Sequence, residues 1–96
     1  MSDESWIAKR RLTEAQAQAI SARLRTDHPD IAYRTEALSN DQYEIRVLRH
    51  RDGGRTNETL QRATQVAQDV LGYPPTKNEI GISHLYAMGE AKEKTR

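Results

Sequence analysis

The chain has 96 residues, with 15 basic and 14 acidic side chains, and it contains neither cysteine nor phenylalanine. This length fits one domain with a small core. The lack of cysteine excludes disulfides, thiolate nucleophiles and cysteine-based zinc or iron–sulfur sites.

The first residues carry acidic side chains and no long apolar run, so they match neither a signal peptide nor a membrane-spanning helix. We therefore expect a cytoplasmic protein without membrane contact. Residues 1–11 are predicted to be a flexible segment or, from Trp6 to Ala8, a short strand. Residues 12–88 are predicted to be a single α+β domain, and residues 89–96 a charged flexible tail.

A helix is predicted to begin after Thr13, because Thr13 and Gln16 have the spacing of a capping box. It should run to about Thr26, since the residue before Pro29 is disfavoured in a helix. Its apolar stripe consists of Ala17, Ile20 and Leu24.

Apolar and polar side chains then alternate over residues 30–38 and 42–50, as they do in half-buried strands. A loop of residues 38–40, with Asn40 in the left-handed conformation, pairs Tyr33 with Ile45 and Arg34 with Glu44. A loop of residues 39–41 sets like charges opposite each other, at a cost of roughly a few tenths of a kcal/mol per contact. We therefore predict the first register.

The second helix is predicted over residues 56–72, with Thr56 or Asn57 as its N-cap and Gly72 as the left-handed residue that closes it. Its apolar stripe consists of Leu60, Ala63, Val66, Ala67, Val70 and Leu71. Alternation over residues 79–88 predicts a last strand, on which His84 is partly buried. The competing interpretation makes Ser83 the cap of a helix that starts at His84.

The order (β)αββαβ, with the bracketed strand at Trp6, predicts a ferredoxin-like two-layer sandwich. Two helices would cover one face of an antiparallel sheet. They would bury Tyr33, Ile45, Val47, Ile80 and Ile82. Without the first strand, the alternative is an αββα domain that is completed by dimerisation.

No catalytic or metal-binding motif is present. His28, His50 and His84 are far apart in sequence and lack partners at ligand spacing. We therefore expect a non-enzymatic protein that needs no cofactor.

The one local charge bias lies between residues 46 and 55. Arginine side chains suit phosphate groups, and the Gly53–Gly54 turn leads backbone amides into a helix N-terminus. The candidate nucleic-acid or anion-binding residues are Arg46, Arg49, His50, Arg51 and Arg55. The alternative interpretation is a charged strand end that blocks aggregation.

The thin core and the lone Trp6 favour a small protein–protein interaction module that forms a homodimer and contacts another protein. Trp6 is the candidate partner-binding residue. The alternative is a nucleic-acid-binding accessory protein that uses the arginines, with residues 9–11 as a second contact. A phosphate contact would weaken steeply with salt, whereas an apolar interface would not.

Overall fold

The computed structural model describes residues 10–87, which form two helices and a three-stranded sheet. The elements are α1 (Glu14–Asp27), β1 (Tyr33–Ala37), β2 (Tyr43–Arg49), α2 (Gly53–Leu71) and β3 (Ile80–Tyr86), with a short 3-10 turn (Ser39–Asp41) between β1 and β2. The α+β class is confirmed. The last strand is also confirmed, so the competing helix capped by Ser83 is wrong, and the described elements follow the order αββαβ rather than αββα. The predictions for Trp6 and for residues 89–96 lie outside the described residues.

The sheet is mixed, not antiparallel as predicted. β2 is its central strand; it pairs antiparallel with β1 and parallel with β3. The crossover through α2 returns the chain beside β2 in the same direction, which is the usual connection between parallel strands. A ferredoxin-like order would place the first strand between β2 and β3. These two strands pair directly, so the described residues do not confirm that order.

α1 forms as predicted. The Thr13 hydroxyl accepts from the amide of Gln16, and the Gln16 side chain accepts from the amide of Thr13, which completes the capping box. The predicted stripe is buried, and the helix ends with His28 as its C-cap.

α2 begins three residues earlier than predicted. Asp52 is its N-cap and accepts from the amide of Gly54. Thr56 lies buried in the first turn, where its hydroxyl donates to His50 O and accepts from His50 N. The hydroxyl that was expected to cap the helix is therefore bonded to His50, which lies before the helix. The predicted end is confirmed, since Gly72 is left-handed with φ 83°.

The predicted register of β1 and β2 is wrong. The observed partners are Tyr33 and Val47, Arg34 and Arg46, Thr35 and Ile45, Glu36 and Glu44, and Ala37 and Tyr43. The chain uses the loop of residues 39–41, in which Asp41 is left-handed as well as Asn40. The left-handed conformation of Asn40 was correctly predicted.

This register is stable because opposite charges lie beside each like-charged pair. The Glu44 carboxylate lies 2.7 Å from Arg46 Nη2 on its own strand and 2.7 Å from Arg11 Nε. On β1, Arg34 and Glu36 form an ion pair of 3.4 Å. The repulsion between like charges on neighbouring strands is therefore offset by attraction between opposite charges on the same strand. A comparison that considers only directly opposed residues misses this attraction.

The core combines residues of both helices with Ile45, Val47 and Ile80 of the sheet. Ile82 was expected to be buried but is 38% exposed, and His84 is exposed rather than partly buried. Val47 still pairs with Ile82, but Arg49 pairs with Tyr86, so β3 carries extra residues in a bulge. The bulge lies beyond Ile82 and disturbs the alternation at His84, whereas Ile82 is exposed on a strand that, among the described residues, has a neighbour on one side alone.

Arg62 of α2 holds the segment between α1 and β1. Its guanidinium donates to both oxygens of Asp30, at 2.8 and 3.2 Å, and forms a 3.0 Å ion pair with Glu58. The hydrogen bond from Arg62 lowers the pKa of Asp30 below its ordinary value of 3.8. Asp30 is therefore ionised at neutral pH, and the ion pair links α2 to the segment between α1 and β1.

Candidate interaction face

An open groove of about 620 Å³ lies between α1 and the first two strands. α1 packs against α2 and β2, and it leaves Thr35 and Ala37 of β1 exposed. The groove is lined by Glu14, Ala17, Gln18, Ser21, Ala22, Arg25, Thr35 and Tyr43. Because its helix wall consists of small and short polar residues between two charged ends, it suits a surface of another chain better than an enclosed small ligand.

The groove wall on α1 follows from helical spacing. Glu14, Gln18, Ser21 and Arg25 are separated by four, three and four residues, so they form one stripe. Arg23 lies on the flank towards α2, where it approaches Asp69 at 3.9 Å. The sequence shows this stripe but does not show which flank of the helix stays uncovered.

Three polar side chains fix one side of the groove. The hydroxyls of Ser21 and Tyr33 are hydrogen bonded, and Arg25 Nη1 donates to Ser21 Oγ at 2.7 Å. The partners of Ser21 are thus a phenol and a guanidinium, neither of which is a base at neutral pH. This cluster can present fixed donors to a docked chain, but it does not activate Ser21 as a nucleophile.

β1 is an edge strand in the described part of the chain, since it pairs with β2 alone. Its charged side chains, Arg34 and Glu36, alternate with the groove-facing residue Thr35. Charged residues on an edge hinder indiscriminate strand pairing, yet they permit pairing with a complementary edge.

The structure divides the predicted arginine site. Arg46 donates to Glu44 and, at 3.0 Å, to the carbonyl of Lys77, near the start of β3. Arg49 lies at the other end of β3, where it stacks on the Tyr86 ring at 4.6 Å and donates to His84 O. Arg46 and Arg49 therefore serve different contacts.

The remaining candidates surround the start of α2. His50 is buried, whereas Arg51 and Arg55 are exposed. The carboxylate of Asp52 caps this helix end, so the amide of Gly54 already has an anionic acceptor. Trp6, the predicted partner-binding residue, lies outside the described residues.

Sequence reasoning missed two buried carboxylates. Glu79 is 0% exposed; it accepts from Arg10 Nε at 2.9 Å, from the Tyr73 hydroxyl at 3.2 Å and from the amide of Thr76 at 2.8 Å. Burial raises the pKa of Tyr73, and the charge of Glu79 raises it further. Glu44 is the second, held by two arginines as described above. Arg10 and Arg11, predicted as a second nucleic-acid contact, thus bind carboxylates of the domain.

Within residues 10–87, no group of three or more histidine, aspartate or glutamate side chains is placed to hold a metal ion. His28 contacts Arg62 through Nδ1 at 3.3 Å. None of the helices in the same range has the length and apolar character needed to cross a membrane.

Comparison with protein-family models, with curated proteins and with solved structures finds no match for this chain.

Proposed function

We propose that this protein is a non-enzymatic module that docks another polypeptide on the face formed by α1 and β1. The observation that carries the proposal is the open groove of about 620 Å³ that lies along an edge strand. Edge strands bind partners through backbone hydrogen bonds, while adjoining side-chain surfaces select among them. Ser21 and Arg25, which line the groove and bond to each other, supply such a surface.

The chemistry of the groove supports docking rather than catalysis. Among residues 10–87, Glu14 is the one carboxylate that lines the groove, where it accepts from Gln18 at 3.3 Å, and no histidine lines it. A general base and a nucleophile within hydrogen-bond reach would be needed for acyl or phosphoryl transfer. In the groove, the Glu14 carboxylate bonds to Gln18, and the Ser21 hydroxyl bonds to Tyr33 and Arg25.

A photoreactive side chain placed at Thr35 or at Ala22 should give a discrete cross-linked product in cells that express the full chain. Both residues line the groove, so a docked polypeptide lies within reach of the probe. The same probe at Gln61, an exposed residue of α2 outside the groove, is the control and should give none. Equal products from all three positions, or none from the groove, would contradict the proposal.

A second candidate function is nucleic-acid binding, which is favoured by the exposure of Arg51 and Arg55 on both sides of the α2 cap. Single-stranded RNA or duplex DNA should then bind with an affinity that falls steeply as salt increases, because bound phosphates release counterions. Fluorescence anisotropy at low and moderate salt measures this effect.

The double variant Arg51→Ala, Arg55→Ala should weaken that binding. It should also make the slope of log K against log salt concentration shallower by roughly 0.9 for each lost phosphate contact on a duplex. Arg49 is a poorer target, because it also holds Tyr86 and His84. The control, Arg23→Ala with Lys77→Ala, removes the same charge elsewhere on the exposed surface. Equal losses in both variants would indicate only a general charge effect.

A further inference from the structure

Every second residue of β1 directs its backbone N–H and C=O away from β2. The amide of Leu48 donates to the carbonyl of Ala32 at 2.9 Å, so position 32 is one whose backbone groups bond to β2. In the observed register, the even-numbered residues of β1 therefore bond to β2. Bonded and outward positions alternate along an edge strand. The outward residues are Tyr33, Thr35 and Ala37.

The charges of β1 are complementary to those of a second β1 strand. If two copies pair antiparallel about a twofold axis at Thr35, the outward residues face one another, and Arg34 of each copy lies opposite Glu36 of the other. An axis at position 34 would oppose two arginines, and an axis at position 36 would oppose two glutamates. Like charges directly opposite are unfavourable unless neighbouring charges offset them, as they do between β1 and β2, so the charges favour the axis at Thr35 over the other two.

The groove stripe on α1 has the same twofold complementarity. If a second α1 lies antiparallel to the first, with the twofold axis between positions 19 and 20, groove residues of opposite charge or of small size face each other. The resulting pairs are Glu14 with Arg25, Ala17 with Ala22, and Gln18 with Ser21. The charged residues at the ends of the stripe thus face residues of opposite charge.

The two symmetry patterns fit one arrangement, because Thr35 lines the same groove as the middle of α1. Neighbouring strands are about 4.8 Å apart, and each α1 lies over its own β2, so the two helices would be three strand spacings, or about 14 Å, apart. Directly packed helices are about 8–10 Å apart, so the two α1 helices would instead face each other across one shared groove.

We propose that the polypeptide docked on this face is a second copy of the chain, which pairs β1 with β1 about Thr35 and joins its groove to that of the first copy. This inference rests on the proposed docking function and names its partner. The interface is isologous, and it joins two three-stranded sheets into one sheet of six strands.

Sedimentation equilibrium of the purified full chain should show a species of twice the 11.0 kDa chain mass, with a concentration-dependent monomer fraction. The single variants Arg34→Glu and Glu36→Arg should each raise the dissociation constant by about tenfold or more, since each places like charges opposite one another at two symmetric positions. Mixing the two variants should restore association, because every opposed pair in the heterodimer then carries opposite charges.

Thr35→Pro provides an independent variant. It removes an outward N–H without removing a bond to β2, so the monomer should keep its circular dichroism spectrum and lose the dimer. A wild-type chain that stays monomeric at several hundred micromolar, or a dimer that Thr35→Pro and the charge variants leave unchanged, would overturn the inference.

The two proposals fail in different ways. A monomeric chain that still gives groove-specific cross-links to a polypeptide of another mass retains the docking function but excludes the second copy as partner. A monomeric chain without groove-specific products overturns both. Cross-links from Thr35 to a second copy, together with rescue in the mixed variants, support both.

Discussion

Replacing Glu79 with glutamine should lower the free energy of unfolding by about 3 kcal/mol, because removing one partner of a buried ion pair leaves the other poorly compensated. Glu79 is fully buried and accepts from the guanidinium of Arg10, the hydroxyl of Tyr73 and the amide of Thr76. A glutamine keeps one acceptor oxygen, but its amide group points donors at groups that also donate. The segment before α1 and the connector before β3 would lose their common anchor.

Urea denaturation and thermal melting measure this effect. In a domain of this size, about 3 kcal/mol corresponds to a fall in the melting temperature on the order of 15 °C. Glu58→Gln is the matched control, because Glu58 is an exposed carboxylate paired with Arg62, and such pairs contribute less than about 1 kcal/mol. Equal, small losses in the two variants would show that the buried pair does not stabilise the fold.

Replacing Gly81 with alanine should lower the free energy of unfolding by about 1–3 kcal/mol, the usual cost of adding volume to a packed site. A Cβ atom at this position would overlap Arg46 Nη1 and would lie 2.9 Å from the carbonyl oxygen of Lys77. The guanidinium can move, but the carbonyl belongs to the backbone. Moving Arg46 would also weaken its contacts with Glu44 and with that carbonyl.

Gly53→Ala is the control for this change. No atom lies within 4 Å of a Cβ at Gly53, which is the first residue of α2, so the substitution should be neutral or should stabilise the protein by a few tenths of a kcal/mol. Urea denaturation of both variants makes the comparison. If Gly81→Ala were as stable as Gly53→Ala, the close approach of Arg46 to the β3 backbone would not be a constraint on the fold.

Local features were predictable wherever the determining contacts are close in sequence. Thr13 and Gln16 cap α1 through residues three apart, and Gly72 ends α2 by its own backbone conformation. The start of α2 was misplaced because Thr56 bonds to His50 instead of to the helix end.

The candidate site was less predictable than the elements. The arginines between residues 46 and 55 are adjacent in sequence, yet Arg46 and Arg49 bind groups near opposite ends of β3. The stripe of α1 that lines the groove was visible only as a helix face poor in large apolar residues. Its exposure depends on α1 packing over β2 and leaving β1 uncovered.

The sequence by itself determined the helices, the three strands and most of the core, because apolar period and capping chemistry act over a few residues. Tertiary structure alone decided the register of β1, the parallel pairing of β3 and the burial of Glu44 and Glu79. Each of these depends on side chains brought together from distant segments, as when Arg11 lies beside Glu44 or Arg10 beside Glu79. The energy of such contacts depends on distance and burial, which one-dimensional spacing does not contain.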